Sequence, residues 1–173
     1  MSASFEFPEV DNVTLGTIGE PGQRTFYLQA RRETQLVTLK LEKQQVGALA
    51  QLLGELLADL PSIERVPGDE APALEEPALA EWAVGNLQLA YDAASDRVVL
   101  LAEEVETLDD DGDPVPGDGV ARLAVTRAQA AALVERGEEL VVSGRARCPL
   151  CGYPMDPAGH ACPKTNGHGP PSR

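Results

Sequence analysis

The first 147 residues contain neither cysteine nor histidine. Most of the chain therefore lacks the imidazole of a Ser–His pair, a thiolate nucleophile and any imidazole-rich metal centre. Chemistry there would rest on carboxylates, tyrosines, arginines, Lys40 and Lys43, so catalysis is disfavoured. Basic side chains are scarce too, 14 against 28 acidic ones, for a net charge of −14 over 173 residues. That excess repels phosphate backbones and anionic lipid, which argues against nucleic acid and membrane surfaces as partners. No run of about 18 apolar residues is present to span a bilayer. The start, Met1-Ser-Ala-Ser-Phe-Glu-Phe7, has no basic region followed by an apolar stretch, and the expected location is the reducing cytoplasm.

What is present is a patterned body of a length that suits one domain plus an appendage, with a core formed without disulfides. Residues 12–18 and 24–30 alternate apolar with polar. Between them Glu20-Pro21-Gly22-Gln23 places Gly where a type II turn needs a positive φ. A hairpin is predicted, with a third strand at 35–41. The period then changes. Val46, Leu49, Leu52, Leu53, Leu56, Leu57 and Leu60 recur at three- and four-residue spacing, predicting a helix over 43–60 that Pro61 ends. Residues 61–78 carry four prolines and five acidic residues and read as a connection with little capacity to pack.

Strand signals resume at 82–91 and, after a turn at 94–96, at 97–104. A loop at 109–119 precedes a short strand at 120–125. Thr126 with Gln129 three residues on has the capping-box form and opens a helix over 127–142. A shift of 84 places Leu39 on Leu123, Gln45 on Gln129 and Leu49 on Leu133, so strands followed by a helix occur twice. The expected fold is α+β: an antiparallel sheet with two helices on one face, a possible strand-strand-strand-helix duplication, plus a small C-terminal zinc knuckle. The expected division is an acidic domain at 1–143, the knuckle at 144–168 and a disordered tail at 169–173.

Every cysteine and histidine lies between Cys148 and His168. Cys148-Pro-Leu-Cys151-Gly152 has the form of a zinc knuckle, in which two thiolates three positions apart reach one ion when the chain between them turns tightly. His160 and Cys162 follow after eight residues. Four such donors fit tetrahedral Zn²⁺. One residue separates His160 from Cys162 where a zinc ribbon usually has two, so His168 competes with His160 as fourth ligand. Four protein donors close the site, and a segment too short for an apolar core takes its folding energy from the ion. Structural zinc follows, with Asp156 the one carboxylate in the segment. A Cys148–Cys151 disulfide is disfavoured by the odd third cysteine and the expected reducing compartment.

Fitting the acidic loop to a Ca²⁺ loop puts Thr107, Asp109, Asp111 and Asp118 at ligand positions, with a weak first ligand, Asp for the bidentate Glu, two prolines and flanking strands; it reads as a solvated hairpin loop. Arg24, Arg31 and Arg32 near Tyr27 form either an anion-binding face or the polar side of the hairpin. Trp82 belongs to the core or packs the connection onto the sheet. Residues 145–173 hold Arg145, Arg147, Lys164 and Arg173 against Asp156, leaving 10 basic and 27 acidic side chains on the body.

Gly19-Glu-Pro-Gly-Gln-Arg-Thr-Phe-Tyr-Leu-Gln-Ala30, Leu41-Glu-Lys-Gln-Gln-Val46 and the tail Cys148-Pro-Leu-Cys-Gly…Gly159-His-Ala-Cys-Pro163…Asn166-Gly167 together resemble an actinobacterial family defined only as a domain of unknown function. The resemblance runs from about residue 3 to 168. It implies no catalytic residue, and it favours His160 over His168 as ligand. The expected function is that of a non-enzymatic zinc-binding protein, the zinc structural or used to dock a protein partner. The alternative is an enzyme or binding domain for a small anionic, phosphate-containing ligand held by the hairpin arginines. A deep pocket lined by Arg24 or Arg31 with buried carboxylates would favour the alternative; a filled sheet–helix core would favour the first.

Overall fold

Alternation becomes strand and three-to-four spacing becomes helix. The computed structural model describes residues 1–143, 147–153, 155 and 160–165. Its strands are β1 (Phe5–Phe7), β2 (Asn12–Ile18), β3 (Thr25–Arg32), β4 (Gln35–Leu41), β5 (Trp82–Asp92), β6 (Arg97–Glu104), β7 (Thr107–Leu108), β8 (Pro114–Val115) and β9 (Val120–Val125), with helices α1 (Lys43–Ala58) and α2 (Arg127–Val142). Seven strands form one sheet in the order β1-β9-β6-β5-β4-β3-β2. It is mostly antiparallel. Two pairs, β4 with β5 and β1 with β9, run parallel.

The register aligns the apolar positions. Leu15 lies opposite Leu28, Leu28 opposite Leu39, and Leu39 opposite Trp82, while Leu100 faces Leu123. All five leucines and Trp82 are buried. The helices cover this row, packing on each other, with α2 against β2 and α1 against β5. Val46, Leu49 and Leu53 of α1 and Ala130 and Leu133 of α2 fill the layer between. Each buried leucine contributes roughly 1.5–3 kcal/mol relative to exposure.

The two strand-strand-strand-helix units lie side by side in chain order. Helix starts at 43 and 127 and ends at 58 and 142 keep the expected offset of 84. The first two strands do not: starts at 12 and 25 correspond to 82 and 97, because the two-stranded β7–β8 ladder is inserted ahead of β9. Both helix starts use a glutamine. The Gln129 N–H donates to Thr126 Oγ1 at 3.0 Å, and the Thr126 N–H donates to Gln129 Oε1 at 2.9 Å. At α1 the Glu42 N–H donates to Gln45 Oε1 at 2.8 Å.

One sequence expectation requires correction, and one strand adds to those expected. The connection at 61–78 packs. It crosses the sheet face opposite the helices, where the Thr14 hydroxyl donates to Pro72 O at 2.6 Å and the Gln29 side chain exchanges bonds with the Glu75 backbone at 2.7 and 3.1 Å. Leu74 stands over Gly16 and Arg31 grips the Glu75 carboxylate. The strap's few apolar residues suffice because its backbone is bonded to polar side chains buried beneath it, Thr14 and Gln29. The N-terminal residues add strand β1, held by Phe7, which is buried, and by the Trp82 indole N–H, which donates to Ala3 O at 2.9 Å. Trp82 thus serves in the core and anchors the N-terminal segment.

The acidic loop is the expected hairpin. Its ladder residues are exposed, and Asp109 Oδ1 accepts the N–H groups of Asp111 at 3.0 Å and Asp113 at 2.9 Å. That carboxylate is occupied with its own backbone. No helix among the described residues is long and apolar enough to cross a membrane.

Candidate metal centre

The knuckle is built by a tight turn. The Gly152 N–H donates to Cys148 O and the Cys148 N–H to Tyr153 O, each at 2.8 Å. Gly152 sits at φ +75°, which a side chain would resist, so the glycine after the second cysteine is what lets the chain double back. Cys148 and Cys151 then face the same space. Cys162 and His160 enter from the returning chain, just before a short 3-10 turn at Pro163–Thr165.

One ligand atom from each of Cys148, Cys151, His160 and Cys162 lies within 4.8 Å of every other. The Sγ atoms of Cys148 and Cys162 are 3.9 Å apart, and Cys151 Sγ is 3.2 Å from His160 Nε2. A tetrahedral zinc with Zn–S near 2.3 Å and Zn–N near 2.05 Å sets S···S edges of about 3.8 Å and S···N edges of about 3.6 Å. The Cys148–Cys162 distance of 3.9 Å is close to its edge, and the Cys151–His160 distance of 3.2 Å is shorter than its edge by about 0.4 Å. None of the three cysteines is joined in a disulfide. Cys148 and Cys162 are buried, Cys151 and His160 half-buried. These four residues can hold a metal ion.

The environment distinguishes the thiols. The backbone N–H of Cys151, seconded by that of Leu150, holds the Cys148 thiol below its ordinary value against the opposing effect of burial. At Cys151 burial dominates and pushes the thiol up, assisted by the neighbouring sulfurs. Cys148 is therefore the readiest thiolate of that pair. His160 presents Nε2 to Cys151 Sγ, and its Nδ1 is buried with no hydrogen-bond partner among the described residues.

His168, the competing fourth ligand, lies outside the described residues, as does Asp156. The hairpin arginines do not form one face. Arg24 precedes β3 and Arg31 is near its far end, roughly 23 Å away along an extended strand. Arg31 is committed to Glu75, and Arg24 Nη1 donates to Ser143 O at 2.8 Å and Ser143 Oγ at 3.1 Å, capping the end of α2. Spacing alone could not reveal this, because the partners come from the strap and the second helix.

Fold and site together define an α+β protein with two helices on a mostly antiparallel sheet and a C-terminal Cys₃His cluster able to hold a metal. The chain matches, over residues 5–162, the family described as Protein of unknown function (DUF3090), and belongs to it. Comparison with curated proteins and with solved structures gave no match.

Proposed function

We propose that the chain is a non-enzymatic zinc protein of the cytoplasm, whose knuckle, spanning 144–168 beyond an acidic domain at 1–143, is folded by a structural Zn²⁺ and docks a protein partner. The observation that carries this is the convergence of four soft or borderline donors within 4.8 Å. Three thiolates and one imidazole complete a tetrahedron, and a closed tetrahedral site leaves no position for a reactive water. The ion supplies the folding energy that so few apolar residues cannot. The docking role is supported by Leu150 and Tyr153, which the turn directs outward beside the metal site.

Native mass spectrometry on the full chain, purified without added metal, tests the reading. One zinc per chain is expected, lost in Cys148→Ser and in Cys151→Ser. A metal-free chain with unchanged thermal stability would end it. For docking, a pull-down comparing the full chain with one ending at Gly144 is expected to lose a specific partner on truncation.

A further inference from the structure

Five arginines, at 31, 65, 122, 127 and 136, each pair with a carboxylate. Seven further cations, Arg24, Arg32, Lys40, Lys43, Arg97, Arg147 and Lys164, have no carboxylate partner among the described residues, although the chain holds twice as many acids as bases. Four of these, Arg24, Lys40, Lys43 and Arg147, line one cleft of about 800 Å³. It lies where the start of β3, the end of β4, the start of α1 and the end of α2 meet, with Arg147 contributed by the knuckle. Glu42 is the one acidic residue in its lining.

The local arrangement concentrates positive potential. Lys43 is the first residue of α1, where a cation opposes the helix dipole. Lys40, three residues earlier at the end of β4, adds to that potential. Arg24 is fixed by Ser143 through Nη1, which leaves Nε and Nη2 for another acceptor. Lys40, Lys43 and Arg147 are exposed at the cleft and Arg24 is half-buried; together they attract a small anion, whereas the acidic body repels an extended polyanion. Phe26 and Leu140 supply an apolar wall. The volume falls in the range of small-molecule sites and far exceeds what a bare phosphate fills.

We propose that this cleft binds a small organic phosphate. Its dianionic phosphoryl group sits among Arg24, Lys40 and Lys43, matched by the arginine fork and the lysine point charges. Its organic part lies against Phe26 and Leu140, with Arg147 on the knuckle side. Three of the four cations belong to the body, so the site does not depend on the metal reading.

Amide NMR titration of the full, metal-loaded chain tests this, using ribose 5-phosphate, inorganic phosphate and ribose at constant ionic strength. Expected are saturable shifts at Gly22, Thr25, Lys43 and Val142, with ribose 5-phosphate binding at least about fivefold more tightly than inorganic phosphate and ribose not binding. Both lysines are exposed, so Lys40→Ala/Lys43→Ala is expected to keep the wild-type Tm while weakening ribose 5-phosphate at least about 20-fold, the loss of two charge-assisted bonds. Arg32→Ala/Arg97→Ala, removing two cations outside the cleft, is expected to bind as wild type. Binding that survives, weakened, in Cys148→Ser supports the cleft even if the metal reading fails. Shifts that stay linear and are reproduced by sodium chloride overturn the proposal, as does a lysine variant that binds normally. Equal affinity for inorganic phosphate and the sugar phosphate overturns the organic half of the site.

Discussion

Leu74 stands so close over Gly16 that a Cβ at position 16 would lie 2.8 Å from the leucine Cβ. The strap over the helix-free face of the sheet depends on that space. Gly16→Val is expected to destabilise the protein by roughly 1–3 kcal/mol, as overpacking does. The check is the urea midpoint at unchanged slope. Combined with Leu74→Gly, which removes the clashing atom, the loss should fall short of additive; strict additivity would show that the two positions do not compete for the same space.

Arg31 holds the same strap through Glu75, donating from Nε at 2.8 Å and from Nη2 at 2.5 Å. Its hydrogen bonds keep the Glu75 carboxyl below the ordinary value of 4.5, and Glu75 in turn raises Arg31. A depressed carboxylate contributes stability that is fully present above its unfolded pKa and is lost as pH falls through the folded one. Glu75→Gln should therefore be less stable than wild type at pH 7. The gap should close as pH drops below about 4.5 and shrink with added salt, since the pair is partly exposed. Urea unfolding across a pH series measures this; a gap that persists unchanged at pH 2 would assign the effect to packing.

The reciprocal bonds between Thr126 and Gln129 start α2 at an offset of 84 residues from α1. Thr126→Ala leaves one helix N–H without its acceptor, and a loss of about 1 kcal/mol is expected, with Thr126→Ser close to wild type. Thermal unfolding of the two variants decides. Equal losses would mean that the threonine methyl, not the hydroxyl, carries the contribution.

Metal stoichiometry separates the two histidines. His160→Ala is expected to lose tight zinc, while His168→Ala keeps one ion per chain by mass. The ligands must be deprotonated, so acidification from pH 7 to pH 5 should release the ion. Retention in His160→Ala together with loss in His168→Ala would reverse the assignment.

The local elements were legible because each had a local cause. Alternation at 12–18, leucine spacing in α1 and the Thr126–Gln129 pair act over a few residues, and the structure places their elements within two residues of expectation. Clustering of Cys148, Cys151, His160 and Cys162 was equally plain, since nothing else in the chain competes for those residue types. The strap was not. Its prolines and acids signal weak self-packing, and its order comes from Thr14, Gln29 and Arg31, residues more than 40 positions away. Strand β1 escaped for the same reason, being three residues long and defined by a partner at 121–123. The basic cleft escaped because its cations are scattered from 24 to 147 and meet only when the ends of four elements converge.

The pairing of β1 with β9 has a consequence in time. Phe5 aligns with Ala121, so β1 must wait for β9, which is made 116 positions later. At a synthesis rate of about 5–20 residues per second, the intervening 116 positions take on the order of ten seconds to appear. Throughout that interval the rest of the sheet can assemble from neighbouring hairpins, while Phe7 and the backbone edge of β1 stay without their final cover. Closure of the sheet at this edge thus waits until residues 121–123 have been made, long after Phe5–Phe7 themselves.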